Sequence, residues 1–218
     1  MGHQLPTHRD MVDAIVVAYD RATDDQVVAG KCWYGDARYI VERIADATGF
    51  GDEPMRVAYA LAALSPRNPW AWNVADAYHF ASAATHGGEM PTATTYGANR
   101  RAAWVALTSD KIPWSTTALK VRAFVSAIMG DELAVVVDVW AMRVVTNGAM
   151  SEAKSTKTYR NVAYAYCEAA HELGVTPSVA QAVTWLVAQA EGLGSGRRNR
   201  HDRSCKRGTP AFVRDLLT

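Results

Sequence analysis

Residues 55–64 (MRVAYALAAL) are almost wholly apolar and rich in alanine. A helix that is apolar on all sides belongs in the middle of a core. The run ends at Ser65-Pro66, where proline pushes the preceding residue out of helical conformation. The rest of the chain supplies amphipathic partners for such a core. Met11, Ile15, Val16 and Tyr19 repeat at helical spacing over residues 8–24, with Asp10 as a candidate cap. From Asp36, the set Tyr39, Ile40, Arg43, Ile44 and Ala47 predicts another helix, ended by Gly49 and Gly51. Residues 27–33, near Gly30 and Gly35, are expected to form a loop or short turn. Further helices are predicted over 72–80, 102–107, 157–173 (closed by Gly174) and 179–191 (opened by Pro177-Ser178). Alternating runs are scarce, so the expected class is all-α.

A chain of 218 residues is long enough for one sizeable domain or two small lobes sharing a core. The net charge of +1 advertises no polyanionic partner globally, so any nucleic-acid contact must rest on local clusters. Two clusters exist: Arg100-Arg101, and the arginine-rich segment 197–207 (RRNRHDRSCKR). Each reads either as a phosphate contact or as a solvated surface. Cys32, Cys167 and Cys205 have no metal-type spacing, and their odd number argues against a disulfide framework. No metal or cofactor is expected. The N-terminus lacks a signal-peptide core and no window approaches a membrane span, so a soluble, cytoplasmic, monomeric protein is expected.

The stretch 114–145 (WSTTALKVRAFVSAIMGDELAVVVDVWAMRVV) holds the candidate chemistry. Lys120 opens one helix and Asp138 opens the next. The positive end of a helix disfavours a second positive charge, and partial burial lowers a lysine pKa further. A neutral amine of that kind is a nucleophile able to form a Schiff base. A carboxylate at the end of the apolar run 133–137 can stabilise a developing cation or take a proton. The same residues also read as a helix-end charge and an N-cap, since aspartate is a favoured capping residue. Arg67 and Asn68, directly after the apolar helix, are placed either to line a site or to form a polar turn. Trp70 and Trp140 are candidates for stacking on a base, with core packing as the alternative.

The order and spacing of these landmarks resemble the helix-hairpin-helix DNA glycosylase superfamily, in particular its endonuclease III-like branch. The carriers are Lys120, eighteen positions before Asp138, and residues 137–144 (VDVWAMRV), which are similar to that family's aspartate motif. Upstream, residues 64–68 (LSPRN) and 96–102 (YGANRRA) resemble further family landmarks, and residues 183–186 (VTWL) fall where the family has a returning helix. The resemblance implies two helical lobes with a cleft between them. The central lobe would span 55–138, and 1–54 plus 139–196 would make the second, followed by a basic tail at 197–218. It also implies a double-stranded DNA partner with a nucleotide flipped out of the stack. Lys120 and Asp138 would be the catalytic pair. Arg67, Asn68, Trp70, Arg100, Arg101, Thr116, Thr117, Trp140 and Arg143 would contact DNA or the base.

The chain departs from the family in one place. The family hairpin carries glycines that let backbone amides approach a phosphate, whereas residues 114–120 (WSTTALK) contain none. Thr116 and Ala118 stand in their place. Three readings follow: glycosylase/lyase chemistry at the glycosidic bond, phage-type hypermodification of a DNA base on the same fold, and a non-catalytic DNA-binding module.

Overall fold

The structure, a computed structural model, describes residues 5–115, 118–193 and 215. Nine helices and no strand occur among the described residues. In chain order they are α1 (His8–Asp20), α2 (Asp24–Thr48), α3 (Pro54–Leu64), α4 (Trp70–Thr85), α5 (Gly97–Thr108), α6 (Leu119–Ile128), α7 (Val139–Val145), α8 (Thr156–Leu173) and α9 (Pro177–Glu191). No helix among the described residues is long and apolar enough to cross a membrane.

Local signals set most of the helix ends. Thr7, not Asp10, is the N-cap of α1; Asp10 is the reciprocal partner in a capping box, bonding back to the Thr7 backbone. Pro54 and Pro177 sit in first turns, where a missing N–H costs nothing. Gly174 and Gly192 close α8 and α9 in the left-handed conformation.

The expected break at 27–33 does not occur. Helix α2 runs unbroken through Gly30 and Gly35. A Cβ on Gly30 would lie 2.4 Å from Val183 Cγ2 and 2.9 Å from the Val183 backbone. The glycine is therefore there to let α2 approach α9 closely, and the roughly 1 kcal/mol that glycine costs a helix interior is outweighed by that packing.

The chain divides into two compact units. One comprises residues 36–115: the second part of α2 with α3, α4 and α5. Helix α3 is its centre, with all eight residues from Val57 to Leu64 buried. Its last carbonyls cannot reach water, so neighbours must satisfy them. Asn73 Nδ2 donates to Leu61 O (3.1 Å), Ser65 Oγ to Ala62 O (2.9 Å) and Asn99 Nδ2 to Ala63 O (2.8 Å). Arg56 does the same for the end of α5, donating to Ala106 O, Ser109 O and Asp110 O.

The other unit comprises residues 5–35 and 118–193. Its core gathers Met11, Val12 and Ile15 of α1, Met142 of α7 and Tyr166 of α8, among others. The start of α9 is held by a backbone bond from Ser178 N to Glu132 O (3.1 Å). The units break the chain inside α2 and between 115 and 118, whereas the sequence placed boundaries at 54/55 and 138/139.

Candidate active site around Asp138

Residues 135–137 approach α7 as a buried valine run outside regular secondary structure, with Asp138 N donating to Val136 O (3.0 Å). The other buried backbone groups of an irregular segment, here Val135 O and Val137 N, must find partners elsewhere. Tyr159 of α8 provides both: its hydroxyl donates to Val135 O (3.1 Å) and accepts from Val137 N (3.2 Å). This one phenol fixes the segment that delivers Asp138. Asp138 then caps α7, its Oδ1 accepting from Trp140 N and Ala141 N at 2.9 Å each. The second carboxylate oxygen accepts no hydrogen bond from any described residue.

Lys120 is the second residue of α6 and is half-buried. Burial pulls its pKa below the ordinary lysine value, and the negative charge of Asp138 opposes that shift. Burial pushes the Asp138 carboxyl above the usual range, opposed by Lys120 and then by the capping amides. Each charge therefore acts on the other's pKa, while no described carboxylate comes within the 4.0 Å ion-pair range of Lys120. Both shifts favour the neutral forms, so a larger share of the amine is free to act as a nucleophile and the carboxylate is a stronger base than in water.

Three phenols complete the surroundings. Burial pushes Tyr159 up to about 12 and raises Tyr34 and Tyr166 well above the ordinary range; the Asp138 charge adds to each shift. Tyr34 donates to Gln181 Oε1 at 2.6 Å, and Tyr166 pairs with Thr184 Oγ1 at 3.2 Å. All three stay protonated at neutral pH and can donate hydrogen bonds without adding charge. Trp33 stacks at 26° on Phe124, with ring centroids 5.9 Å apart, and meets Trp185 edge-on at 5.5 Å. Phe124 also meets Tyr34 edge-on, at 6.4 Å.

The sequence singled out Lys120 and Asp138 as candidates but not these neighbours. Tyr34 was hidden by the expected loop at 27–33. Tyr159 and Tyr166 sit seven apart on α8, two turns along one face.

Of the other expected site residues, Trp140 and Arg143 share α7, where the Arg143 guanidinium lies 4.7 Å over the Trp140 ring. Arg67, Asn68, Trp70, Arg100 and Arg101 belong to the 36–115 unit. Arg67 is exposed, adopts φ 60°, and holds its guanidinium 5.7 Å over the Tyr96 ring. Asn68 donates to Asp76 Oδ2 (2.9 Å), while its own Oδ1 is buried without a partner. Trp70 opens α4 and is half-buried. Thr116, Thr117 and the basic segment 197–207 lie outside the described residues. No group of three His, Cys, Asp or Glu among the described residues is placed to hold a metal ion.

No curated protein and no solved structure matches this chain. The model of a family of unknown function, DUF7178, matches residues 3–192, and the protein belongs to that family.

Proposed function

We propose that the protein acts on DNA bases in the manner of helix-hairpin-helix glycosylases, with Lys120 and Asp138 as its catalytic pair. One observation carries the reading: a lysine and an aspartate, each shifted by burial toward its neutral form, interact at one site whose backbone is fixed by Tyr159. The two compact helical units are read as the two lobes of that fold. In the proposed reaction Asp138 takes a proton from the Lys120 ammonium or stabilises the sugar cation. The free amine bonds to C1′ as the bond from C1′ to the base breaks, and the base leaves with a proton. The aminal so formed opens as the C1′–O4′ bond breaks, with O4′ taking a proton and the nitrogen losing one, and the resulting Schiff base permits strand cleavage by β-elimination.

A second reading keeps the site and changes the reaction. The glycine-free segment 114–120 favours it, because residues with a Cβ replace those that would bring backbone amides onto a phosphate. In this reading Asp138 is a base toward an incoming amine, and Lys120 holds a phosphate leaving group on an activated thymine methylene. Mass spectrometry of duplexes incubated with the protein separates the two. A released base that disappears with Lys120→Ala supports glycosylase chemistry. Release of pyrophosphate from a pyrophosphorylated hydroxymethyluracil duplex supplied with an amine, with the amine retained on the base, supports base decoration. Salt-sensitive binding with neither product would refute both and leave a DNA-binding module.

A further inference from the structure

The first turn of α5 gathers positive charge with nothing described to balance it. Helix α5 has Tyr96 as its N-cap, and no side chain caps its amides. The first intrahelical bond runs from Arg100 N to Tyr96 O (3.0 Å), so the N–H groups of Gly97, Ala98 and Asn99 have no backbone acceptor. Two guanidinium groups fold back onto this turn. Arg101 Nη1 lies 3.6 Å, and Arg100 Nη2 3.8 Å, from where a Cβ on Gly97 would stand. A third, Arg67, lies over the ring of the cap residue Tyr96. None of the three is within 4.0 Å of a described carboxylate.

Three cations at the positive end of a helix repel one another and the dipole alike. An arrangement of this kind is suited to an anion. Two further observations point to a missing acceptor. Arg100 Nε is shielded from solvent and has no hydrogen-bond partner. Thr95, only 7% exposed and next to the cap, has a buried hydroxyl that is likewise unpaired. Buried donors of native proteins are nearly always satisfied, and a cationic one left open costs most. Planar guanidinium forks and helix-end amides together match the tetrahedral oxygens of a phosphoryl group better than a single carboxylate.

We propose that the N-terminal turn of α5, with Arg67, Arg100 and Arg101, is a phosphoryl-group binding site. It lies in the unit that does not contain Asp138, and it stands whether or not the chemistry proposed for Asp138 holds. The phosphoryl group can come from a nucleic-acid backbone or from a free species such as pyrophosphate.

The test uses the full chain in chloride buffer, with calorimetric titration of pyrophosphate and of a short undamaged DNA duplex. Arg101→Gln and Arg67→Gly alter exposed residues, so thermal unfolding should stay near wild type. Lys157→Gln, on exposed α8 surface, is the control. Saturable pyrophosphate binding, weakened about tenfold or more in both variants and unchanged in the control, is the expected result. If the natural source is nucleic acid, pyrophosphate competes with the duplex. Each variant then lowers the slope of log affinity against log salt by about one. If the source is a free phosphate species, duplex binding is the same in wild type and variants. No saturable binding of either probe, or binding of both within about twofold of wild type in both variants, would overturn the site.

Discussion

Asp138 has a structural task and a proposed chemical one, and two substitutions separate them. Asp138→Ala removes the acceptor of two 2.9 Å bonds from Trp140 N and Ala141 N. Loss of a capping side chain costs about 1 kcal/mol, within a range of roughly 0.5–2. Asp138→Asn keeps an acceptor oxygen at the same position and caps about as well. It also removes a charge that burial disfavours. The sign follows from the raised folded-state pKa. The carboxyl's favourable contribution is full below its unfolded value of 3.8 and is lost as pH rises through the higher folded value. Ionising this carboxyl in the fold is therefore a net cost, partly offset by Lys120. Urea unfolding at pH 7 should place Asp138→Asn within about 0.5 kcal/mol of wild type and Asp138→Ala about 1 kcal/mol below it. Both variants should lose the chemical step by about 10²- to 10⁴-fold. If Asp138→Asn falls as far as Asp138→Ala in stability, the capping role is wrong. If either keeps the wild-type rate, the catalytic role is wrong.

Tyr159→Phe leaves Val135 O and Val137 N without their shared partner, and chemical denaturation should show a loss of about 2 kcal/mol. The same variant should react more slowly with wild-type DNA affinity, because the segment carrying Asp138 loosens while nothing that holds the duplex is removed. Gly30→Ala tests the close approach of α2 to α9. A free helix would gain up to about 1 kcal/mol from alanine, yet the 2.4 Å clash with Val183 Cγ2 should make the variant less stable by about 1–2 kcal/mol. A stabilised Gly30→Ala would mean that the helices do not approach as described. Lys120→Met should be at least as stable as wild type at pH 7, because the folded-state pKa lies below the unfolded value of 10.5. The cost of the buried ammonium is full below that folded value and fades as pH rises toward 10.5. The denaturation midpoints of the two proteins should accordingly converge between pH 7 and 10.5.

Helical periodicity and terminal residues were enough to place the all-helical class, the buried run at 57–64, and the helix ends at Pro177, Gly174 and Asp138. Those signals act locally, within one turn of the residue concerned. The misreadings arose where a distant partner decides the outcome. Gly30 looks like a breaker until Val183 is placed against it. Asp138 was legible from its motif, but Tyr159 was not, because one hydroxyl serving two backbone groups 22 and 24 residues away leaves no periodic trace. Arg100 and Arg101 stood out as charge. Their return onto Gly97 depends on side-chain packing that spacing does not encode.

The most direct measurement of the central claim is borohydride trapping on duplex DNA carrying candidate modified or damaged bases, followed by peptide mapping. A covalent adduct on the peptide containing Lys120, formed more readily as pH rises through the lowered lysine pKa and absent in Lys120→Ala, is the predicted result. An adduct at another residue, or one that persists in Lys120→Ala, would contradict the assignment of Lys120 as nucleophile.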